Sequence, residues 1–201
     1  MNTQPVGPGA RASLTVVLPE GFSSVMPSPG EAFATPEERM ALAIRFARWN
    51  VETGTGGPFG AAVFDTATGT LVSAGVNLVL ATRRSMAHAE VVALILAQQT
   101  FNTHDLGSTG LPCLELVTSA EPCCMCLGAV VWSGVRSLVC GARDEDIRAI
   151  GFDEGPKPAR WPEDLGARGI VVRRDVGRTQ AVAVLRAYLS AGGPIYNARA
   201  D

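Results

Sequence analysis

The stretch EPCCMCLGAVVWSG, residues 121–134, sets three of the chain's five cysteines within four positions, directly after a proline. Pro122 suits a helix start and puts Cys123 in the first turn. On a helix the i and i+3 side chains share a face, so Cys123 and Cys126 grip one object together. Cys124 cannot join them: i and i+2 point roughly 160° apart at about 100° per residue. The N–H groups of a first turn also stabilise thiolates there. Two thiolates at C-x-x-C spacing select zinc or a related metal, but they equally fit a redox pair. What else converges on them decides between the two.

Composition narrows the setting. The 201 residues suit one domain with a substantial core. At 47% hydrophobic and 18% charged the chain is globular, not disordered. A net charge of −2 leaves no broad basic field, which disfavours a nucleic-acid partner. No apolar run reaches the roughly 18 residues of a membrane span. The segment MNTQPVGPGARASLTVVLPEGF has no basic leader, and its apolar stretch is too short for a secretory signal. The expectation is a cytoplasmic protein. Five cysteines, an odd number clustered mid-chain, make a poor disulfide framework and point to metal or catalysis.

Along the chain, residues 1–34 are rich in proline and glycine and read as an extended arm with one short strand at LTVVL, 14–18. Residues 35–201 read as a single domain that includes a C-terminal helix and tail. Its first helix starts at Thr35 as cap, with Pro36 in the first turn and Glu38 completing a capping box. Met40, Ala43, Ile44 and Ala47 recur on it at helical spacing. GGPFGAAVFD and LVSAGVNLVL flank the turn TATGT and read as a hairpin. SMAHAEVVALILAQQ reads as a buried helix beginning near Ser85, and LPCLELVTSA and VRSLVCGA as strands either side of the cysteine helix. RDEDIRAI is a short helix, GIVVRRD a final strand and RTQAVAVLRAYLSAGG a closing amphipathic helix before the tail PIYNARAD. This interleaving implies an α/β fold with a mostly parallel inner sheet covered on both faces. Trp132, Cys113 and Cys140 are assigned to its core.

Of the two histidines, His104 sits in the polar loop FNTHDLGS and reads as a solvated side chain. His88, in AHAEVVALIL, opens a helix that is otherwise apolar. A lone histidine there is more often a satisfied core residue than a ligand, but Glu90 two positions on reverses that weighting. A carboxylate entering an apolar helix with no basic residue needs a cation or a proton-transfer task. His88, Cys123 and Cys126 supply three zinc ligands and leave a fourth position open for water, the pattern of catalytic zinc. Two thiolates cancel the metal charge, so a bound hydroxide stays nucleophilic and Glu90 takes the proton that the water releases.

HAE together with PCCMC matches the H-x-E…P-C-x-x-C signature of zinc-dependent nucleobase deaminases. With GGPFGAAV and IGFDEGP added, the chain from about residue 36 onward resembles the bacterial guanine deaminases of the cytidine-deaminase-like superfamily. The resemblance implies a three-layer α/β/α sandwich around a mixed five-stranded sheet, one Zn2+ per chain and a homodimer. It also implies hydrolysis of guanine to xanthine and ammonia, with attack at C2. By resemblance Asn77, eleven residues before the zinc histidine, hydrogen-bonds the base; Phe59 packs on the purine; and the Ala89 backbone N–H faces a ring heteroatom or carbonyl. Glu154, at the end of GFDE, is the second catalytic carboxylate, against the plainer reading of a solvated loop acid. Tyr196 and Asn197 lie in a tail that closes over the site in relatives. Cys124 departs from the proline common between the ligands.

Three other readings use the same residues. A tRNA adenosine deaminase shares PFGA, AHAE and the cysteine run, but calls for clustered Lys/Arg, and only Arg173, Arg174 and Arg178 approach a cluster. A deaminase of another small amino-heterocycle, such as cytosine or an amino-triazine like ammeline, shares the zinc site; the pyrimidine enzymes have no need of Glu154. A non-catalytic zinc scaffold leaves Glu90 unexplained.

Overall fold

The structure, a computed structural model, describes residues 15–198. Thr35 opens α1 (Pro36–Glu52) with a closed capping box: its hydroxyl accepts from the Glu38 N–H, and the Glu38 carboxylate accepts from the Thr35 N–H. Met40, Ala43, Ile44 and Ala47 form the buried stripe of this helix, as their spacing requires. β1 (Gly60–Asp65) and β2 (Leu71–Val76) make the antiparallel hairpin expected around TATGT.

β1 also pairs antiparallel with β3 (Leu114–Ala120), whereas β3 with β4 (Ser137–Ala142) and β4 with β5 (Val171–Arg173) are parallel. In the order β2-β1-β3-β4-β5 the sheet is therefore mixed, not mostly parallel. The helix α3 (Ala89–Phe101) is a crossover from β2 to β3, which run the same way. β1 lies between those two strands and antiparallel to both, an insertion that helix–strand alternation does not reveal.

Successive residues of each strand feed opposite faces. Ala62, Phe64, Val117 and Val139 pack with α1 and α7 (Arg178–Ser190) into one core. Ala61, Val63, Leu116, Leu138 and Cys140 pack with α3 and α4 (Cys124–Ser133) into the other. The result is a three-layer sandwich in which β1, β3 and β4 are buried and the edge strand β5 is exposed. Among the described residues no helix is long and apolar enough to cross a membrane.

Several local expectations shift. Residues 15–18 of LTVVL form no strand, and Leu14 lies outside the described residues, as does the rest of the arm before it. The described part of the arm is anchored on the domain at two buried residues: Phe22 meets Phe46 and Trp49, Phe33 meets Phe64, and beside Phe33 Ala32 bridges Thr70. β2 stops at Val76, and the apolar NLVL, whose pattern continues the strand, turns into the short helix α2 (Val79–Thr82). α3 begins at Ala89, later than Ser85. The helix α5 (Asp144–Ala149) lies where RDEDIRAI predicts it, while α6 (Trp161–Gly166), which carries no apolar period beyond Trp161 and Leu165, was not anticipated. Cys140 is buried, but Cys113 is exposed and Trp132 stands 85% exposed on α4, so neither belongs to the core.

Candidate active site

Every residue of β3 is buried, and its end delivers Glu121 and Pro122 to the start of α4. Cys123 is the N-cap of α4 rather than part of its first turn, and His88 is likewise the N-cap of α3. An N-cap side chain folds back over the N3 position, so Cys123 and Cys126 still form the facing pair. The two helix N-termini meet, and His88 Nδ1 lies 3.5 Å from Cys123 Sγ and 3.6 Å from Cys126 Sγ. All three ligand atoms lie within 4.8 Å of one another. Zinc–sulfur bonds of about 2.3 Å and a zinc–nitrogen bond of about 2.0 Å at tetrahedral angles place N and S about 3.5 Å apart. The three side chains thus fit zinc as they stand.

The electrostatics suit a cation. The hydrogen bond from Cys126, helped by His88, pulls the Cys123 thiol down to about 4. As the donor in that bond, and by burial, Cys126 is held well above its ordinary value. Burial works against the His88 imidazolium, but Cys123 and Glu90 outweigh it and raise its pKa. Cys124 turns away from the triad. Its N–H donates to the Glu154 carbonyl at 3.0 Å, and its sulfur packs where a side chain at Gly155 would fall; Gly155 also has φ of 68°, so glycine is required there on both counts.

Above the triad is a cavity of about 310 Å³. Glu90 and Glu154 enter it from different elements, α3 and the loop after α5, both buried at 6% and 7% exposure. Burial, reinforced by the Cys123 thiolate, raises the pKa of each carboxyl, that of Glu154 to about 8. Glu154 Oε2 is buried with no hydrogen-bond partner among the described residues. Phe59 and Asn77 form another wall. Asn77 follows the end of β2 instead of lying within a strand; its Oδ1 accepts from the Val79 N–H at 3.3 Å, which leaves its NH2 for a ligand. Tyr196 and Asn197 line the cavity of their own chain, where Asn197 donates to the Gly151 carbonyl and accepts from the Asp153 N–H, both at 2.8 Å. Ala89 adds no side chain to the wall, but its N–H is among the first-turn amides that α3 does not satisfy internally. His104 is exposed on its loop, away from the site.

Phe152 and Tyr188 also line the cavity, in an aromatic series with Phe59: Phe59 meets Phe152 edge-on at 5.1 Å, and Phe152 stacks on Tyr188 at 6.2 Å. Neither carries a signal of its own in the sequence. Phe152 stood inside the quoted IGFDEGP, and Tyr188 was hidden in an ordinary amphipathic helix.

Residues 34–142 match the cytidine and deoxycytidylate deaminase zinc-binding region, over half of the chain. The chain belongs to that family. The deaminase is 36% identical over 118 residues to the guanine deaminase of Bacillus subtilis, covering 59% of this chain and 71% of the relative. Its fold is similar to a solved guanine deaminase from Nitrosomonas europaea, with a TM-score of 0.85, 50% identity, and coverage of 90% of this chain and 100% of the other. It is also similar to NE0047 in complex with 2,6-diaminopurine, with a TM-score of 0.86, 52% identity and coverage of 93% and 98%. The family match covers His88, Glu90, Cys123 and Cys126; Glu154 and the tail lie beyond it.

Proposed function

We propose that this deaminase hydrolyses guanine to xanthine and ammonia. The observation that carries the reading is the pair of buried carboxylates, Glu90 and Glu154, facing one cavity above the His88–Cys123–Cys126 triad. The half-identical Nitrosomonas guanine deaminase, matched over nearly its whole length, supports it.

His88, Cys123 and Cys126 would hold one zinc per chain, and zinc supplies a Lewis acid that lets water lose a proton near neutral pH. Glu90, two residues from His88, takes a proton from the attacking water and passes it to ring N3 as the water oxygen bonds to C2. Its raised pKa matches a group that must both accept and donate. Glu154 holds the ring N1–H from the opposite wall and assists departure of the 2-amino group, which takes the second proton of the water and leaves as ammonia as the C2–N bond breaks and C2=O forms. Asn77 donates to an acceptor on the base, Phe59 packs on its face, and the Ala89 N–H meets a ring heteroatom or carbonyl. Tyr196 and Asn197 close the site against water.

A tRNA substrate lacks its electrostatic support. Arg174 is engaged by Glu121 at 2.6 Å, and Arg178 by Glu145 and Asp146 at 2.5 and 2.8 Å, so this corner presents no free basic cluster. Trp132, exposed beside the half-buried Ala129 and Val131 on the apolar helix α4, supports a homodimer through that helix. Five unpaired cysteines are in keeping with a cytoplasmic setting.

Ammonia release from a panel of purines, pyrimidines, nucleosides and amino-triazines tests the reading. Guanine is expected to be the best substrate and guanosine inactive; equal rates on guanosine, cytosine or ammeline would overturn it.

A further inference from the structure

Asn50 is fully buried near the end of α1, on the same stripe as Met40, Ala43 and Ala47. An amide in that position must have its hydrogen-bonding capacity met. One loop and one strand end meet it. Its Nδ2 donates to the Gly57 carbonyl at 2.8 Å and the Asn77 carbonyl at 2.9 Å, and its Oδ1 accepts from Thr55 Oγ1 at 2.5 Å. The Asn50 backbone carbonyl accepts from the N–H groups of Thr55 and Gly56.

Both carbonyls that the Asn50 amide holds belong to residues lining the cavity. Gly57, Phe59 and Asn77 line it. The Phe59 N–H donates to the Gly57 carbonyl at 2.8 Å, and the Asn77 N–H to the Phe59 carbonyl at 3.1 Å. A side chain at Gly56 would fall on the Asn77 carbonyl and on Asn50 Nδ2, so the loop closes on Asn50 with no space between them. Aspartate would keep the acceptor and lose both donors, and leucine would lose all three.

We propose that Asn50 is the positioning residue of the base-reading wall: it locks loop 55–59 against Asn77 so that the Phe59 ring and the Asn77 amide face one substrate plane. This rests on the nucleobase reading above. Asn50 touches neither the triad nor the two carboxylates, so its effect falls on recognition and leaves the proton chemistry intact.

The test measures kcat, KM, bound zinc and Tm for zinc-loaded parent, Asn50→Ala and Thr55→Val, using whichever member of the substrate panel the parent turns over best. Asn50→Ala is expected to raise KM about tenfold, the worth of a hydrogen bond lost with its partner left buried. Its kcat should fall by less than about threefold, the signature of lost ground-state binding, with zinc unchanged. Thr55→Val keeps both Asn50 donors but frees its oxygen, and should raise KM about two- to fivefold. An unchanged KM in folded Asn50→Ala, or losses in kcat that follow lost zinc or lost folded protein, would overturn the proposal. Should Asn50→Ala not fold, Thr55→Val decides: a raised KM at constant kcat supports the role, and a parental KM refutes it. A best substrate other than guanine would refute the guanine reading, while the KM split would still decide the role of Asn50.

Discussion

Glu115 and Glu154 are acids buried to nearly the same depth, 5% and 7% exposed, at opposite ends of the fold's business. At the start of β3, Glu115 has both oxygens occupied: Oε1 accepts from Arg39 at 2.9 Å and Oε2 from Ser137 at 2.7 Å. Arg39 in turn donates to the Phe33 carbonyl at 2.8 Å, which ties the end of the arm to α1 and the sheet. Glu154 has one oxygen buried without a partner, facing a cavity above three metal-ligand atoms. Burial costs a carboxylate several kcal/mol unless partners offset it. At Glu115 the protein supplies those partners; at Glu154 the described residues leave one buried oxygen without any. The contrast separates an acid whose burial the fold satisfies from one whose burial it leaves open, as the catalytic role proposed for Glu154 requires, where burial alone would class them together.

The comparison can be broken or sharpened by substitution, beginning with the largest effect. Glu90→Gln should retain zinc and lose about 10²–10⁴-fold or more in kcat, the usual worth of one positioned acid–base group. Loss of zinc from that variant would move Glu90 into the architectural class. Arg39→Met should destabilise by about 3–5 kcal/mol, because it strands Glu115 as an unpaired buried charge. Turnover per folded molecule should stay at the parental value, checked by urea unfolding alongside active-site titration.

Glu154→Gln carries the opposite sign in stability. The folded-state pKa of Glu154 is raised from 4.5 to about 8, so between those values the folded state binds more protons than the unfolded state. Stability of the metal-stripped parent therefore falls as pH rises through that window, by up to about 1.4 kcal/mol per pH unit from this group. Glu154→Gln should match the parent below pH 4.5 and exceed it at pH 9; an advantage that shrinks with rising pH would contradict the burial argument. The smallest effect belongs to Cys124→Ala, which should keep full zinc occupancy, whereas Cys123→Ala, Cys126→Ala and His88→Ala should lose it, as read by metal analysis after dialysis.

How much could be read in advance follows from how local each signal is. The capping box of Thr35 and Glu38 lies within one turn and the Cys123–Cys126 pair within another, so both are legible from spacing alone, whereas His88 joins the pair only through its neighbour Glu90 and the deaminase signature. The insertion of β1 between β2 and β3 was not, because strand order is a tertiary choice. Trp132 misled for a related reason: the alternation of Val130 and Trp132 on an apolar helix does not say which face meets the sheet, and only Val130 is buried. NLVL continued a strand pattern, yet Asn77 accepts from the Val79 N–H and starts a turn instead. Asn50 left one faint mark, a polar residue falling on the apolar stripe of α1. Glu154 was placed by resemblance to GFDE; its unpartnered burial became visible only once the loop was folded.

The most direct test of the account is guanine turnover by Glu154→Gln, measured with zinc content on the same preparation. The account predicts zinc at the parental level and a loss of kcat/KM on guanine of at least about 10²-fold. A variant that holds its zinc and deaminates guanine at close to the parental rate would contradict it, and would return Glu154 to the ordinary acids of a charged loop.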